Sequence, residues 1–328
     1  MKSRLDGIDR SLVNLLQSGF PLVPQPYAEI GSKLGLTEAE VLRRVVRLRE
    51  DRIVRILGPV FNSRALGYRS TLVAMRVPSE RVEGATEIIN AHPGVGHDYL
   101  RDHYYNLWFT LAVRSERDLA DTLQVFENQI QPEAMLELPA LRLFKIRLFF
   151  DLEGNGGGSE ESAGETLHAT SLPLTPVERA VTNEVQQQLP AASRPFEEMA
   201  GRVGMRTEEF LACCRSLLER GIMRRFGASI EHRNAGFVAN AMVCWAVPPS
   251  AVEEIGFKMA AFKEVTHCYE RRTGPLWPRY NVFSMIHGKT PEENSATVAR
   301  IVEATGIRDY EVLPTLLEFK KERVRYRV

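Results

Sequence analysis

Along residues 27 to 55 apolar positions return at helical spacing, first Ile30 and Leu34, then Val41, Leu42, Val45 and Leu48. Gly35 breaks the run, and Thr37, followed three residues later by Glu40, restarts it as a cap. This spacing predicts a helix-turn-helix, and the apolar run from Ile53 to Leu57 reads as a short wing strand. Residues 175 to 225 repeat the scheme with Thr207 as the cap. After the first wing come the strand pattern "TLVAMRVP", a helical stretch at about 80 to 91 and strands starting near Val95 and Tyr105. A helical stretch at about 116 to 128 and a strand from Met135 complete the order βαββαβ, which predicts a ferredoxin-like sheet with helices on one face.

The chain is written twice. "LREDRIVRILGPVFNSRALGY" (48 to 68) aligns with "LLERGIMRRFGASIEHRNAGF" (217 to 237), superposing Arg55 on Arg224, Gly58 on Gly227 and Arg64 on Arg233. "LPALRLFKI" (138 to 146) aligns with "LPTLLEFKK" (313 to 321). The Gly/Ser/Glu tract between the halves has almost no apolar content and reads as a flexible tether. The expected organisation is an α+β tandem repeat forming a pseudo-dimer. It comprises a winged helix-turn-helix at 1–60, a ferredoxin-like domain at 61–152, a linker at 153–173, a second winged helix-turn-helix at 174–229 and a second ferredoxin-like domain at 230–328.

Charge narrows the partners. Lys plus Arg and Asp plus Glu are 42 each in 328 residues, so no net field draws the protein to nucleic acid or an anionic membrane. Where a recognition helix would meet phosphate, the first half offers Glu38 and Glu40 and the second Glu208 and Glu209, which weighs against DNA binding. The basic run Arg43, Arg44, Arg47, Arg49 reads as a solvated face or as contacts to a neighbouring domain. Four cysteines without metal-ligand spacing, a charged N-terminal stretch and the lack of an 18-residue apolar run predict a cytoplasmic protein with no membrane span.

The candidate chemistry lies in "HDYLRDHYYNLWF" (97 to 109) and its echo "HCYERRTGPLWPRYNVF" (267 to 283). Residues two apart share a strand face, so His97, Tyr99 and Arg101 point one way, as do His267, Tyr269 and Arg271. Imidazole, phenol and guanidinium on one face, twice, read as the lining of a ligand pocket; the plain alternative is a polar interface between two sheets. The first half adds His103 before Tyr105, whereas the second supplies Arg272, Trp277 and Arg279. Arginines suit carboxylates, histidines titrate near neutrality or ligate iron, and aromatic rings cover flat apolar surfaces, so a planar, carboxylate-fringed ligand would use all three. His92 and His287 read as turn or core residues.

A winged helix followed by βαββαβ resembles the Lrp/AsnC regulators. The elements "GVGHDYLRDHYYNLWFT" and "VTHCYERR...WPRYNVFSMIHG" resemble those of their enzymatic offshoot, the sirohaem decarboxylases, in a fused NirD/NirL-type arrangement. The resemblance spans both halves and excludes only the linker; the second half lacks a counterpart of His103. It implies removal of carbon dioxide from the two acetate side chains of sirohaem, C12 and C18, to give 12,18-didecarboxysirohaem in haem d1 biosynthesis. On this reading His97, His103, Tyr105 and His267 are the catalytic candidates. Tyr99, Arg101, Tyr269, Arg271, Arg272, Trp277 and Arg279 bind substrate, and His97 or His267 is an axial ligand of the substrate iron. No cofactor beyond that iron is implied; other haem d1 pathway proteins are implied partners. The competing readings are a DNA-binding regulator with a small-molecule sensor domain and a tetrapyrrole carrier without chemistry.

Overall fold

The computed structural model describes residues 5–146, 152, 165–166, 172–231 and 239–328. The linker expected at 153–173 lies outside these residues except at 165–166 and 172–173.

The first half begins with α1 (Gly7–Ser18), α2 (Pro26–Leu34) and α3 (Glu38–Glu50), the second with α6 (Pro176–Val185), α7 (Pro195–Arg202) and α8 (Thr207–Glu219). Gly35 ends α2 in the left-handed region at φ 68°, a conformation that costs glycine little, and the Thr37 hydroxyl accepts from the Glu40 N–H at 3.3 Å to start α3. The second half departs from the expected cap. Thr207 is the first helical residue, and the N-cap position falls to Arg206, whose backbone N–H donates to Glu209 Oε2 at 3.4 Å.

Arg43 of the basic run of α3 is exposed, and the other three arginines are engaged within the protein. Arg44 reaches Asp6 (2.9 Å), Asp9 (2.7 Å) and Glu40 (2.6 Å), Arg47 also pairs with Asp9, and Arg49 donates to the Leu189 carbonyl of the second half at 3.2 Å. Glu38 accepts from Ser193 Oγ at 2.8 Å, so the N-terminus of α3 faces the other half. We therefore expect duplex DNA to bind no tighter than the non-specific range, roughly 10⁻⁴ to 10⁻⁶ M at physiological salt. A nanomolar, sequence-selective shift in fluorescence anisotropy would overturn this expectation.

The wing strand is longer than expected and has a partner. β1 (Val54–Phe61) pairs antiparallel with its counterpart β7 (Met223–Ile230), with Gly58 opposite Gly227 at the centre. A Cβ at Gly227 would stand 2.8 Å from the Leu16 carbonyl oxygen, so glycine lets α1 close onto the ribbon. The helices of both halves and this ribbon share one apolar core, including Leu12, Tyr27, Leu48, Phe196, Phe210 and Phe226.

The remaining elements of half one are β2 (Arg69–Arg76), α4 (Val82–Ala91), β3 (Val95–Arg101), β4 (Leu107–Val113), α5 (Glu116–Ile130) and β5 (Ala134–Ile146). A two-residue β6 (Glu165–Thr166) lies on β5. Half two repeats the order with β8 (Ala239–Trp245), α9 (Val252–Ala260), β9 (Val265–Arg271), β10 (Val282–Gly288), α10 (Pro291–Thr305) and β11 (Tyr310–Lys321). Each half is the ferredoxin-like unit that the patterning predicts. The strand expected from Tyr105 starts at Leu107, because residues 102 to 106 form the turn.

What the pattern does not announce is that the terminal strands change partners. β5 pairs with β2 up to Pro139 and from Ala140 onward with β9 of the other half; β11 pairs with β8 up to Pro314 and from Thr315 with β3. A proline sits at each switch, where the lost N–H is tolerated because the ladder changes strands. The eight strands β2-β4-β3-β11-β8-β10-β9-β5 thus close on themselves through β5–β2. Beyond each switch a lysine caps the other half's helix. Lys145 Nζ donates to the Ala260 and Phe262 carbonyls (2.6 and 2.9 Å) after α9, and Lys320 Nζ to the Asn90 carbonyl (2.8 Å) of α4. Inside the ring, Trp108, Leu138, Met242, Cys244, Phe283 and Leu313 form a core of their own.

Candidate functional site

β3 and β9 place alternate residues on opposite faces. Asp98 turns toward α4, where Asn90 Nδ2 donates to it at 3.0 Å, so His97, Tyr99 and Arg101 turn into the ring. His267, Tyr269 and Arg271 do the same across the pseudo-twofold axis. In both triads the imidazole lies nearly parallel to the phenol, 6.2 Å from it in half one and 6.4 Å in half two, with an interplanar angle of 16° in each. The guanidinium lies 5.3 Å (Arg101) and 4.9 Å (Arg271) from the ring centroid of its tyrosine.

The histidines stand at the mouth of the ring, under the wing ribbon, and the arginines lie deeper. Burial, Lys321, the facing His267 and Arg55 push His97 down to about 3. Burial, Lys321, Arg271 and Lys145 push His267 down to about 4. Both imidazoles are therefore neutral at pH 7 without ligand. Burial raises both tyrosine hydroxyls, and it lowers Arg101 and Arg271 to about 10, so both arginines stay cationic.

The arginines brace the sheet. Arg101 Nη1 donates to the Leu313 carbonyl and to Thr315 Oγ1, each at 3.0 Å, and Arg271 Nη1 to the Leu138 carbonyl at 2.7 Å, so each holds the strand that crosses from the other half. Those bonds are the sheet-bracing contacts of the plainer sequence reading. Yet the Nε–H of each is buried with no hydrogen-bond partner among the described residues, an arrangement costly unless a ligand accepts from it.

Other expected site residues lie elsewhere. His103 sits in the turn at the opposite end of β3 from His97. Its Nδ1 accepts from the Tyr105 N–H at 3.0 Å, its Nε2 lies 3.2 Å from Glu311, and its ring stands 5.6 Å from that of Trp277. Tyr105 and Trp277 are buried at that same end, edge to face at 5.8 Å, as part of the ring's core. Arg272 is exposed, and Arg279 is exposed and paired with Asp309 at 2.6 Å. All five belong to the β3–β4 and β9–β10 turn regions that the sequence assigns to the same ligand site as the triads, and these turns close the far end of the ring. His92 is a turn residue, accepting from the Gly94 N–H at 3.1 Å, and His287 lies in β10 opposite Asn240.

Two groups that face the second triad were missed. Arg64 and Arg224 both act on the Tyr269 hydroxyl, and Arg64 Nη2 also donates to the Ala140 carbonyl at 2.8 Å. Their recurrence in the repeat alignment, Arg224 under Arg55 and Arg64 under Arg233, was the signal that marks them.

Comparison with known proteins agrees with this arrangement. Residues 65–145 and 234–320 match the "AsnC-like ligand binding domain" family, and residues 9–55 and 178–224 match the "Siroheme decarboxylase NirDL-like HTH domain" family. The sirohaem decarboxylase of Hydrogenobacter thermophilus is 39% identical over 316 residues, covering 96% of this chain and 93% of its own. The chain belongs to the sirohaem decarboxylases. That family consists of carboxy-lyases. A sirohaem decarboxylase alpha subunit of Desulfovibrio desulfuricans is 45% identical over 151 residues, covering 46% of this chain and 87% of its own, as expected if this chain fuses two such units. The crystal structure of a sirohaem decarboxylase NirDL in complex with an iron-uroporphyrin III analogue superposes with a TM-score of 0.74 at 35% identity, covering 98% of this chain and 95% of that one. No helix among the described residues of this decarboxylase is long and apolar enough to cross a membrane.

The two triad histidines make its stability depend on pH. With folded values near 3 and 4 against about 6.5 unfolded, His97 and His267 take up protons only in the unfolded chain as pH falls below about 6.5. Asp98, raised to about 7 chiefly by burial, works the other way, since the folded state already holds its proton. Two protons against one leave a net loss of about 1.4 kcal/mol per pH unit between roughly pH 6.5 and 4. Urea midpoints should therefore drop from pH 7 to pH 5, and His97→Gln should flatten the slope; an unchanged midpoint would show the imidazoles to be solvated.

Proposed function

We propose that this chain decarboxylates the two acetate side chains of sirohaem, at C12 and C18, giving 12,18-didecarboxysirohaem as a step toward haem d1. The observation that carries the reading is the doubled His/Tyr/Arg face inside the closed ring, each with a buried guanidinium Nε–H that has no hydrogen-bond partner among the described residues. The iron-uroporphyrin analogue bound by a relative supports a planar, carboxylate-fringed occupant.

Losing carbon dioxide from an acetate on a pyrrole leaves an electron pair on the methylene carbon. A proton delivered first to the ring carbon lets the macrocycle take up that pair. Protonation of the methylene to methyl then releases the ring proton, so each cycle consumes one proton and yields one carbon dioxide. His97 and His267 are the donors in reach of the mouth. Both are neutral at pH 7, which suits an imidazole for binding the substrate iron. The carboxylates that arrive with the substrate raise the pKa of an adjacent imidazole and so charge the donor when it is needed. Arg101 and Arg271 hold carboxylates that do not react, because a guanidinium clamped on the departing group would stabilise the ground state more than the transition state. The tetrapyrrole is its own electron sink, and no further cofactor is required.

Anaerobic incubation with sirohaem tests the reading. Two successive losses of carbon dioxide in the mass spectrum are expected. Pigment that binds tightly and returns unchanged would make the protein a carrier.

A further inference from the structure

The two triads differ beside their imidazoles. Thr266 stands where half one has Gly96, and Met285 where half one has Thr110, since Met285 lies opposite His267 in β10 as Thr110 lies opposite His97 in β4. Each histidine nevertheless has one threonine hydroxyl at its Nδ1. In half one it comes from the neighbouring strand, in half two from the preceding residue. A Cβ at Gly96 would stand 2.9 Å from the Glu322 carbonyl oxygen, so the arrangement of half two does not fit half one.

The two hydroxyls bond in opposite senses. Thr266 donates its hydrogen to the Met285 carbonyl at 3.4 Å, so its oxygen accepts from His267 Nδ1–H at 2.9 Å. Thr110 Oγ1 already accepts from the His97 backbone N–H at 3.2 Å, and among the described residues its own hydrogen has His97 Nδ1, at 3.4 Å, as acceptor. A neutral imidazole carries hydrogen on one nitrogen and a lone pair on the other. His267 therefore keeps its lone pair at Nε2, whereas His97 carries its hydrogen there.

We infer that Thr266 and Thr110 are positioning residues that set opposite tautomers in the two triads, making His267 the axial ligand of the substrate iron and leaving the proton-donor role to His97. The inference rests on the tetrapyrrole reading above and divides the work between its two histidines. Iron is bound through a nitrogen lone pair, and a ligating histidine characteristically donates its other N–H to an oxygen that fixes the ring. His267 has that arrangement, with Thr266 buried and its hydroxyl anchored on β10. For His97 to ligate through Nε2, its hydrogen would have to move to Nδ1 and the Thr110 bond would have to reverse. As the donor, His97 charged by the arriving carboxylates passes its Nε2 hydrogen to the ring carbon and keeps the one on Nδ1, with the Thr110 hydroxyl turned to accept it.

The test reads the tautomers and the axial bond separately. In ligand-free protein at pH 7, long-range nitrogen–proton correlation NMR spectra, assigned with His97→Gln and His267→Gln, should show hydrogen on Nε2 of His97 and on Nδ1 of His267. With iron-uroporphyrin III bound, His267→Gln should lose the axial-imidazole signature in visible and electron paramagnetic resonance spectra, and free imidazole should restore it; His97→Gln should keep it. Thr266→Val should weaken iron-uroporphyrin III binding by roughly tenfold or more, the scale of a lost partner to a metal-bound histidine, while metal-free uroporphyrin III binds as it does to wild type. Thr266→Ser should restore the iron affinity. Should Thr266→Val fail to fold, the ligand-free spectra and the two histidine variants still decide the matter. The same tautomer in both rings, an axial signature lost in His97→Gln instead, or equal weakening for the metal-free porphyrin would overturn the inference and leave the tetrapyrrole reading intact. No binding of either porphyrin by wild type would overturn both.

Discussion

His97→Ala and His267→Ala are expected to divide two effects between them: a fall of about 10² to 10⁴ in single-turnover decarboxylation with pigment still bound, and a changed visible spectrum of bound sirohaem. The first marks the proton donor and the second the iron ligand. Both imidazoles stand at the ring mouth, each parallel to a tyrosine, with His267 close enough to His97 to lower its proton affinity. His103→Ala should produce neither effect, because that ring is bound to the Tyr105 N–H and beside Glu311 at the far end of β3. Rapid-quench sampling with mass detection, alongside spectra of the same samples, separates these outcomes. Near wild-type rates in both mouth variants would move the proton donor to a tyrosine hydroxyl.

Arg271→Ala should weaken pigment binding by about 1.5 to 3 kcal/mol, roughly 10- to 150-fold, as expected for a lost charge-assisted hydrogen bond. Its Nη1 is committed to the Leu138 carbonyl at 2.7 Å, and its buried Nε–H has no partner among the described residues. Lysine should rescue poorly: a point charge can satisfy the carbonyl or the ligand but cannot present two N–H groups in a fixed plane. Arg272→Ala, on the exposed neighbour, should leave affinity unchanged. Binding isotherms and melting curves are read together, since truncating Arg271 also unpins β5 from β9. A lowered Tm with unchanged affinity would mean that the guanidinium only braces the sheet.

The modules were legible because their signals are local. Apolar spacing and the Gly35–Thr37 punctuation give the helix-turn-helix, and residue alternation aligns His97 with Tyr99 and Arg101. What escaped depends on contacts distant in sequence. "LPALRLFKI" and "LPTLLEFKK" read as final strands, and nothing in a 2-residue period says that the residues after Pro139 and Pro314 belong to the other half. That His103, Tyr105, Trp277 and Arg279 stand at the opposite end of the ring from His97 and His267 was hidden for the same reason, since proximity in sequence across a tight turn is not proximity across a ring. Arg64 and Arg224 went unassigned because they sit in other modules, and only the fold brings them to Tyr269.

The partner switch also constrains how the chain can fold. Pairing Thr315–Lys321 with strand β3 joins residues more than two hundred positions apart, so chain entropy must be spent before those ladder bonds form. The β5–β9 seam spans a shorter loop and is expected to form before the β11–β3 seam. Until the second seam shuts, β3 remains a bare edge bearing His97, Tyr99 and Arg101, a template onto which another molecule's β11 could add. Linked exchange of these strands between molecules, favoured at high protein concentration during refolding, is thus the misfolding route that this topology invites.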